Sequence, residues 1–370
     1  MYKILKNIAL VPLSWLYGAV TNARNLLYDN GLLRSRGFDI PIILIGNLAV
    51  GGTGKTPHVE MILSILRDNF KTAVLSRGYK RKSRGFVLAE PTSNSNQLGD
   101  EPMQIYRKFP NTTVAVCEDR VLGVTKLLKR NSGIEVIVMD DGFQHRKLKP
   151  GLTVLLTDYN RLYTSDKMLP AGRLRESSFS SLRADIIIVT KCPEDIKPID
   201  MRVIETDLNP KAFQSLYFSQ IVYRELKPVF DGMPGSAIRL DDVKNLNFEV
   251  LVVAGIVSPQ PMCDYLGRYS DRIQNLIFPD HHSFTKQDIK NIEITFEKIQ
   301  AQNKVIICTE KDAVRFVGNQ HIPEKLKSAM YFLPIGVEII DKEKTFIQKI
   351  SHYVTENSRN SRLSEVQNKY

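Results

Sequence analysis

Three groups of residues have types and spacings that could do chemistry. Gly51, Gly52, Thr53, Gly54, Lys55, Thr56 and Pro57 form a glycine-rich turn ending in Gly-Lys-Thr, directly behind the apolar run 42–45. Glycines let backbone N–H groups converge on anionic oxygens, and a helix starting after the turn adds its positive dipole end. Lys55 reaches β- and γ-phosphates, and the Thr56 hydroxyl can ligate Mg²⁺. The phosphate-loop pattern G-x-x-x-x-G-K-[ST] wants glycine where Ala49 stands, although Gly51 and Gly52 keep the turn flexible. The second group follows the apolar residues 134–139, which run into Asp140-Asp141-Gly142-Phe143-Gln144-His145. A carboxylate at the C-terminal tip of a buried parallel strand sits where open α/β sheets bind ligands, and it can hold Mg²⁺ directly or through water. The third group is split along the chain. Gly99-Asp100-Glu101-Pro102 opens a helical pattern with two carboxylates, and His281 follows an apolar run within Phe278-Pro279-Asp280-His281. Asp100 alone reads as a helix N-cap and His281 alone as a structural histidine; facing one another they make an acid/base pair.

The elements that must position these groups are legible from the hydrophobic pattern. Strand-like runs at 42–45, 72–75, 113–116, 136–139, 152–157 and 185–190 alternate with helix-length segments, which predicts a doubly wound α/β domain around a parallel sheet. Residues 76–96 are basic and turn-rich, with Arg77, Lys80, Arg81, Lys82 and Arg84 close together. That stretch reads either as a solvated loop or, since it follows a strand tip on the ligand edge, as a phosphate-facing one. The pattern changes around 213–230, which reads as a two-strand connector with a Pro/Gly turn at 228–235. Runs at 249–254, 272–278, 305–309 and 330–333 then predict a smaller second α/β unit. The boundaries are 1–30 for an N-terminal helix, 31–215 for the phosphate-loop domain, 216–235 for the linker and 236–350 for the second domain. A frayed polar tail over 351–370 completes the chain.

With 370 residues, two domains are expected. The 51 Lys+Arg against 40 Asp+Glu give +11, which favours anionic partners without choosing among nucleotide, phosphorylated substrate, acidic lipid and nucleic acid. Basic residues are dispersed and aromatics do not interleave with them, which speaks against a nucleic-acid surface. The four cysteines form no C-x-x-C pair, so neither a disulfide framework nor a structural zinc site is indicated. Near the N-terminus Leu13, Leu16, Tyr17, Val20, Ala23 and Leu27 recur on one helical face, opposite Ser14, Thr21, Asn22 and Asn25. The apolar stretch is too short to span a bilayer, which takes about 20 apolar residues. This helix can pack on the domain core or lie in a membrane interface, with Trp15, Lys3, Lys6 and Arg24 near the headgroups. A cleaved leader would strand an ATP site outside the cytoplasm.

Taken in order, Gly46-Asn47-Leu48 with Gly51–Pro57, Leu75-Ser76-Arg77-Gly78-Tyr79, Gly99-Asp100-Glu101-Pro102, Asp140-Asp141-Gly142-Phe143-Gln144-His145, Leu169-Pro170-Ala171-Gly172-Arg173-Leu174-Arg175-Glu176, Phe278-Pro279-Asp280-His281 and Thr309-Glu310-Lys311-Asp312 resemble the tetraacyldisaccharide 4′-kinases of lipid A biosynthesis. The resemblance covers most of the chain and accommodates Ala49. It implies an ATP- and Mg²⁺-dependent transfer of phosphate to the 4′-hydroxyl of an acylated glucosamine disaccharide 1-phosphate, giving lipid IVA. It further implies Asp100 as base helped by His281, Lys55 on the transferring phosphate, and the 51–57 loop around ATP. Thr56, Asp140, Asp141 and Glu101 would serve Mg²⁺, with Arg77, Arg120, His145 and Arg175 toward the substrate. Peripheral association with the cytoplasmic face of a Gram-negative inner membrane is implied as well, with no nucleic acid and no obligate protein partner. With Asp100 assigned to the first domain and His281 to the second, closure of the halves is expected. The competing reading is a phosphate-loop switch or partitioning ATPase at the membrane. Against its GTP form, the segment Thr190-Lys191-Cys192-Pro193 lacks a carboxylate at position 193 to read a guanine edge.

Overall fold

The computed structural model describes residues 2–230, 232 and 238–367, and the side chains of 10–230, 232 and 238–358. Along the chain lie α1 (Tyr2–Asp29), β1 (Ile42–Asn47), α2 (Lys55–Leu66), β2 (Thr72–Ser76), β3 (Val87–Leu88), α3 (Ser95–Leu98), α4 (Asp100–Lys108), β4 (Thr113–Val116), α5 (Arg120–Arg130), β5 (Val136–Asp140) and β6 (Leu152–Asp158). A 3₁₀ helix (Ser178–Arg183), β7 (Ile186–Thr190), α6 (Pro198–Leu208), β8 (Ser215–Tyr223), β9 (Lys227–Pro228), α7 (Leu240–Asn245), β10 (Glu249–Ala254) and α8 (Gln260–Leu266) follow. Then come β11 (Ile273–Ile277), α9 (Lys286–Lys298), β12 (Lys304–Thr309), α10 (Glu310–Val317), α11 (Glu324–Lys327), β13 (Met330–Leu333), β14 (Ile335–Ile340) and α12 (Glu343–Gln367). Two compact units divide the chain: Met1–Pro91, Ile105–Ile221 and Val337–Tyr370 form one, Thr92–Gln104 and Val222–Gly336 the other.

In the first unit the described strands run in the order β14-β8-β7-β6-β1-β5-β2-β4-β3. Strand β1 lies parallel between β5 and β6, and β3 joins the far edge antiparallel to β4. The strand residues read as unbroken apolar runs because both faces are covered. Ile42 and Leu44 enter one core with Val124 and Leu127 of α5 and Ile204 and Leu208 of α6, while Ile43 and Ile45 enter the other with Val59, Ile62 and Leu63 of α2. This is the doubly wound arrangement expected from the pattern. In the second unit the order is β11-β10-β12-β13-β9, parallel except for β9. Val253 and Cys308 pack against Ile289, Ile292 and Phe316 on one face, and Val252 and Ile307 against Val243, Met262 and Leu266 on the other.

Three sequence expectations differ from this structure. Residues 351–358 are no frayed tail: α12 runs through them, and Phe346, Ile350 and Val354, spaced four apart, are buried in the first unit's core. Polar residues at the intervening positions hid this narrow stripe. The two strands of the connector do not both lie within 216–235: β8 is a strand of the large sheet and β9 pairs with β13, while the second strand crossing the unit boundary is β14. Within the expected turn, residues 231 and 233–235 lie outside the described residues. Segment Thr92–Gln104, expected in the first domain, clusters with the second unit. For α1, where packing on the core and an interfacial position were both open, the apolar face turns away from its own unit. Ser14, Gly18 and Asn25 are buried, whereas Leu13, Leu16 and Val20 are exposed. The polar side is inward because it finds partners there: Ser14 Oγ accepts from Ala171 N at 2.9 Å, and Asn25 Nδ2 donates to Glu176 Oε2 at 3.0 Å. Arg24, expected near lipid headgroups, pairs with Glu176 at 3.3 Å.

Candidate active site

Strand β1 ends at Asn47, and the turn that follows needs backbone that side chains resist. Gly51 has φ 114° and Gly54 φ 84°, in the left-handed region glycine tolerates. Helix α2 then opens at Lys55, so its first N–H groups face the turn unpaired within the helix. Lys55 Nζ lies 3.3 Å from Asn47 Oδ1 and 3.8 Å from Asp141 Oδ1. Thr53 Oγ1 is buried without a hydrogen-bond partner among the described residues. An open cradle of amides, an ammonium and an orphaned hydroxyl fit the oxygens of a polyphosphate.

Registered beside the loop, Asp140 at the tip of β5 pairs with Ile45 of β1 and is buried. Asp141 follows with φ 49°. Its carboxylate takes Arg175 Nη2 at 3.0 Å on Oδ1 and Arg175 Nη1 at 3.4 Å on Oδ2. Burial alone would raise the Asp141 pKa, but Lys55, then Arg175 and Arg120, outweigh it and hold the group below the usual carboxylate range. No cluster of three His, Cys, Asp or Glu able to hold a metal occurs among the described residues. A Mg²⁺ bound together with phosphate needs only one or two carboxylates, a hydroxyl and water rather than a protein cage, and Asp140, Asp141 and Thr56 carry oxygen donors of that kind.

Arg175 is delivered by the segment 169–176, which pairs back on the approach to the loop: Val50 N donates to Arg173 O at 2.8 Å and Arg175 N to Leu48 O at 2.7 Å. Arg120 is buried, and burial lowers its pKa. Its Nη1 donates to Cys117 O at 3.1 Å and Glu118 O at 3.0 Å, and its Nη2 to Asp141 O at 3.0 Å, so the guanidinium braces the Asp141 backbone. His145 Nε2 accepts from Arg120 N at 3.3 Å, and burial followed by Arg120 lowers its pKa. Arg77 is exposed.

The second unit holds the other half of the expected chemistry. Asp100 is the first residue of α4, where the helix dipole favours its charge. Its Oδ2 lies 3.0 Å from His281 Nδ1 and accepts from Arg315 Nε at 3.1 Å and Nη2 at 2.8 Å. Burial pushes the Asp100 pKa up, but the hydrogen bonds from His281 and Arg315 and the charges of Arg315 and Lys311 overcome it, leaving the pKa lowered to about 2. Lys311 Nζ sits 3.2 Å from His281 Nε2 and donates to Glu101 Oε1 at 3.0 Å. The Asp100 carboxylate accepts from His281 Nδ1–H, and the Lys311 ammonium can donate to Nε2 on the other side of the ring. Arg315 is itself fixed by Asp312 Oδ1 at 2.6 Å and Gly255 O at 3.1 Å. Asp100 and His281 thus meet inside one unit, so the closure expected to bring them together is not needed for their contact; placing 92–104 in the first domain caused the misreading.

Three functional side chains were not singled out by type. Asn47 is buried and accepts Lys55 and, at 2.5 Å, Arg175 on Oδ1, while its Nδ2 donates to Ala49 O at 2.7 Å. Its signal was its place at a strand tip before a glycine turn. Lys311 and Arg315 lie in and after Thr309-Glu310-Lys311-Asp312, where Thr309 caps α10 and turns both basic residues, four apart, to one face.

With this geometry established, comparison with known proteins is specific. Residues 6–355 match the family model for tetraacyldisaccharide-1-P 4′-kinase, LpxK. The tetraacyldisaccharide 4′-kinase of Bacteroides thetaiotaomicron is 50% identical over 368 residues, covering 97% of this chain and 96% of the relative. That of Parabacteroides distasonis is 48% identical, with 96% of each chain covered. The crystal structure of LpxK from Aquifex aeolicus in complex with ATP superimposes with a TM-score of 0.73 at 27% identity, over 94% of this chain and 99% of that one. The chain belongs to the tetraacyldisaccharide-1-P 4′-kinase family.

Proposed function

We propose that this chain transfers the γ-phosphate of ATP to the 4′-hydroxyl of a tetraacylated glucosamine disaccharide 1-phosphate, yielding lipid IVA. The observation that carries this reading is the Asp100–His281 pair, a carboxylate held ionised and oriented, in a chain half identical to a relative of that name. In this reading the 51–57 loop binds the phosphates, Lys55 neutralises charge on the group in transfer, and Arg175 orients Asp141 beside it. Thr56, Asp140 and Asp141 would hold a Mg²⁺, which would supply charge neutralisation at the phosphate oxygens, while Glu101, the further carboxylate expected there, pairs with Lys311 of its own unit.

All three hydrogen bonds to the Asp100 carboxylate fall on Oδ2, which leaves Oδ1 for the acceptor hydroxyl in this reading. A carboxylate with a pKa of about 2 is a weak base for an alcohol, so its main work is to orient that hydroxyl and take its proton as the bond to phosphorus forms. His281 steadies the carboxylate through Nδ1–H. Arg77 is proposed on the anionic side of the substrate, while Arg120, with His145 against its backbone N–H, acts through the Asp141 backbone.

The same reading places the enzyme at the membrane surface facing ATP, held by α1. No described helix is long and apolar enough to cross a bilayer, and the exposed stripe Leu13, Leu16 and Val20 suits an interfacial helix. The test is ³¹P NMR of the product formed from tetraacyldisaccharide 1-phosphate and Mg-ATP. A second phosphomonoester on the 4′ carbon supports the proposal; an unaltered lipid with free phosphate released refutes it and favours a switch ATPase.

A further inference from the structure

Beneath the phosphate loop lies a set of buried polar side chains that the transfer reaction does not use. Thr190, at the tip of β7, has its Oγ1 3.0 Å from Thr53 O and 3.2 Å from Thr157 O. His58, one turn into α2, is buried, with Nδ1 2.7 Å from Gly54 O and Nε2 3.0 Å from Ser219 Oγ on β8. A carbonyl only accepts, so Nδ1 carries the proton, and Nε2 accepts from the Ser219 hydroxyl. Burial lowers the His58 pKa to about 4, which keeps the ring in this neutral, two-ended form.

The consequence follows from peptide planarity. In a trans peptide the C=O and the following N–H point in opposite directions. Holding Thr53 C=O down onto Thr190 therefore turns Gly54 N–H up, and holding Gly54 C=O down onto His58 turns Lys55 N–H up. Among the described residues neither N–H has a protein acceptor. Gly54 is the N-cap of α2 and its carbonyl also accepts the His58 backbone N–H at 3.2 Å, so the imidazole adds a second, shorter hold on a glycine whose φ of 84° is one among many it can adopt.

We infer that Thr190 and His58, with Ser219 behind it, are positioning residues for nucleotide: they pin two successive carbonyls of the phosphate loop so that the N–H groups of Gly54 and Lys55 stay aimed at the anion. This rests on the reading of 51–57 as the ATP loop. It gives Thr190 a purpose unrelated to guanine reading, and it makes His58 a structural imidazole that acts only through the backbone.

The test is Mg-ATP affinity by calorimetry on the full chain, for the parent and for His58→Leu, His58→Asn and Thr190→Val, with thermal melting run alongside. Asparagine offers an N–H at the same branch as Nδ1. Loss of one such hydrogen bond is expected to weaken Mg-ATP binding about three- to tenfold in His58→Leu and Thr190→Val, with affinity largely restored in His58→Asn. The parent should also show an Nδ1–H signal for His58 in ¹⁵N NMR. If His58→Leu does not fold, Thr190→Val carries the comparison. Folded variants that bind Mg-ATP as tightly as the parent overturn the inference. A parent that does not bind Mg-ATP refutes the loop assignment itself.

Discussion

Replacing Leu16 and Val20 together by glutamate should detach the protein from membranes while leaving its fold intact. On α1, Ser14, Gly18 and Asn25 face the first unit, and at 100° per residue Leu13, Leu16, Val20 and Leu27 point nearly the opposite way. Leu16 is 64% exposed and Val20 63% exposed, so neither contributes much to folding, and each has about two-thirds of its surface left to bury. Full burial of such a side chain contributes about 1.5–3 kcal/mol, so the pair offers about 2–4 kcal/mol to an apolar phase. That is a partition ratio on the order of 30- to 1,000-fold, before the added cost of two carboxylates near anionic lipid. Point variants are preferable to deletion of the helix, because deletion also strips Arg24 and Asn25 from the buried Glu176. The assay is sedimentation with vesicles of mixed zwitterionic and anionic lipid, at matched salt, with far-UV circular dichroism and urea unfolding as controls. Equal binding by the parent and a folded double variant would refute the interfacial role of this face.

Further outcomes follow from other parts of the structure. Asp100→Asn should lower kcat by about 10²-fold or more with Mg-ATP affinity nearly unchanged, and combining it with His281→Ala should add little beyond the worse single change; additive losses would show that the two do not act as a unit. Glu176→Leu leaves Arg183 and Arg24 without their buried carboxylate and should destabilise the chain by about 3–5 kcal/mol in urea unfolding, whereas a loss under 1 kcal/mol would mean the network is dispensable. His58 has its folded pKa lowered from 6.5 to about 4, so between those values the unfolded chain binds more protons and stability falls as pH falls. By pH 5 the parent should lose about 2 kcal/mol more than His58→Asn relative to pH 7; parallel pH dependence would contradict a neutral buried ring.

Much of this was readable in the chain because buried parallel strands announce themselves. Ile42–Asn47 and Val136–Asp140 are continuous apolar runs that end in a glycine turn and an acidic pair, and their adjacency in the sheet follows from a standard crossover. Residue types raised Asp100 and His281 as a possible acid/base pair, but only the family resemblance joined them, since 181 positions separate the two and no periodicity links them. Its supports, Arg315 and Lys311, needed three dimensions: a helix cap predicts which face they share, not that Asp100 stands in front of it. The α1 pattern showed two faces without saying which one the domain takes. Hydrophobicity alone favours burying Leu16 and Val20, but the partners available to Ser14 and Asn25 decided otherwise. In α12 three apolar residues among polar ones sufficed, because they meet an already formed sheet face.

The central claim is tested most directly by incubating the protein with γ-labelled Mg-ATP and tetraacyldisaccharide 1-phosphate in mixed micelles, beside a no-lipid control and a Lys55→Ala variant. The account expects label to appear in the lipid, only when the lipid is supplied, and to vanish when the Lys55 ammonium is gone. Label released as inorganic phosphate with none in the lipid would contradict it.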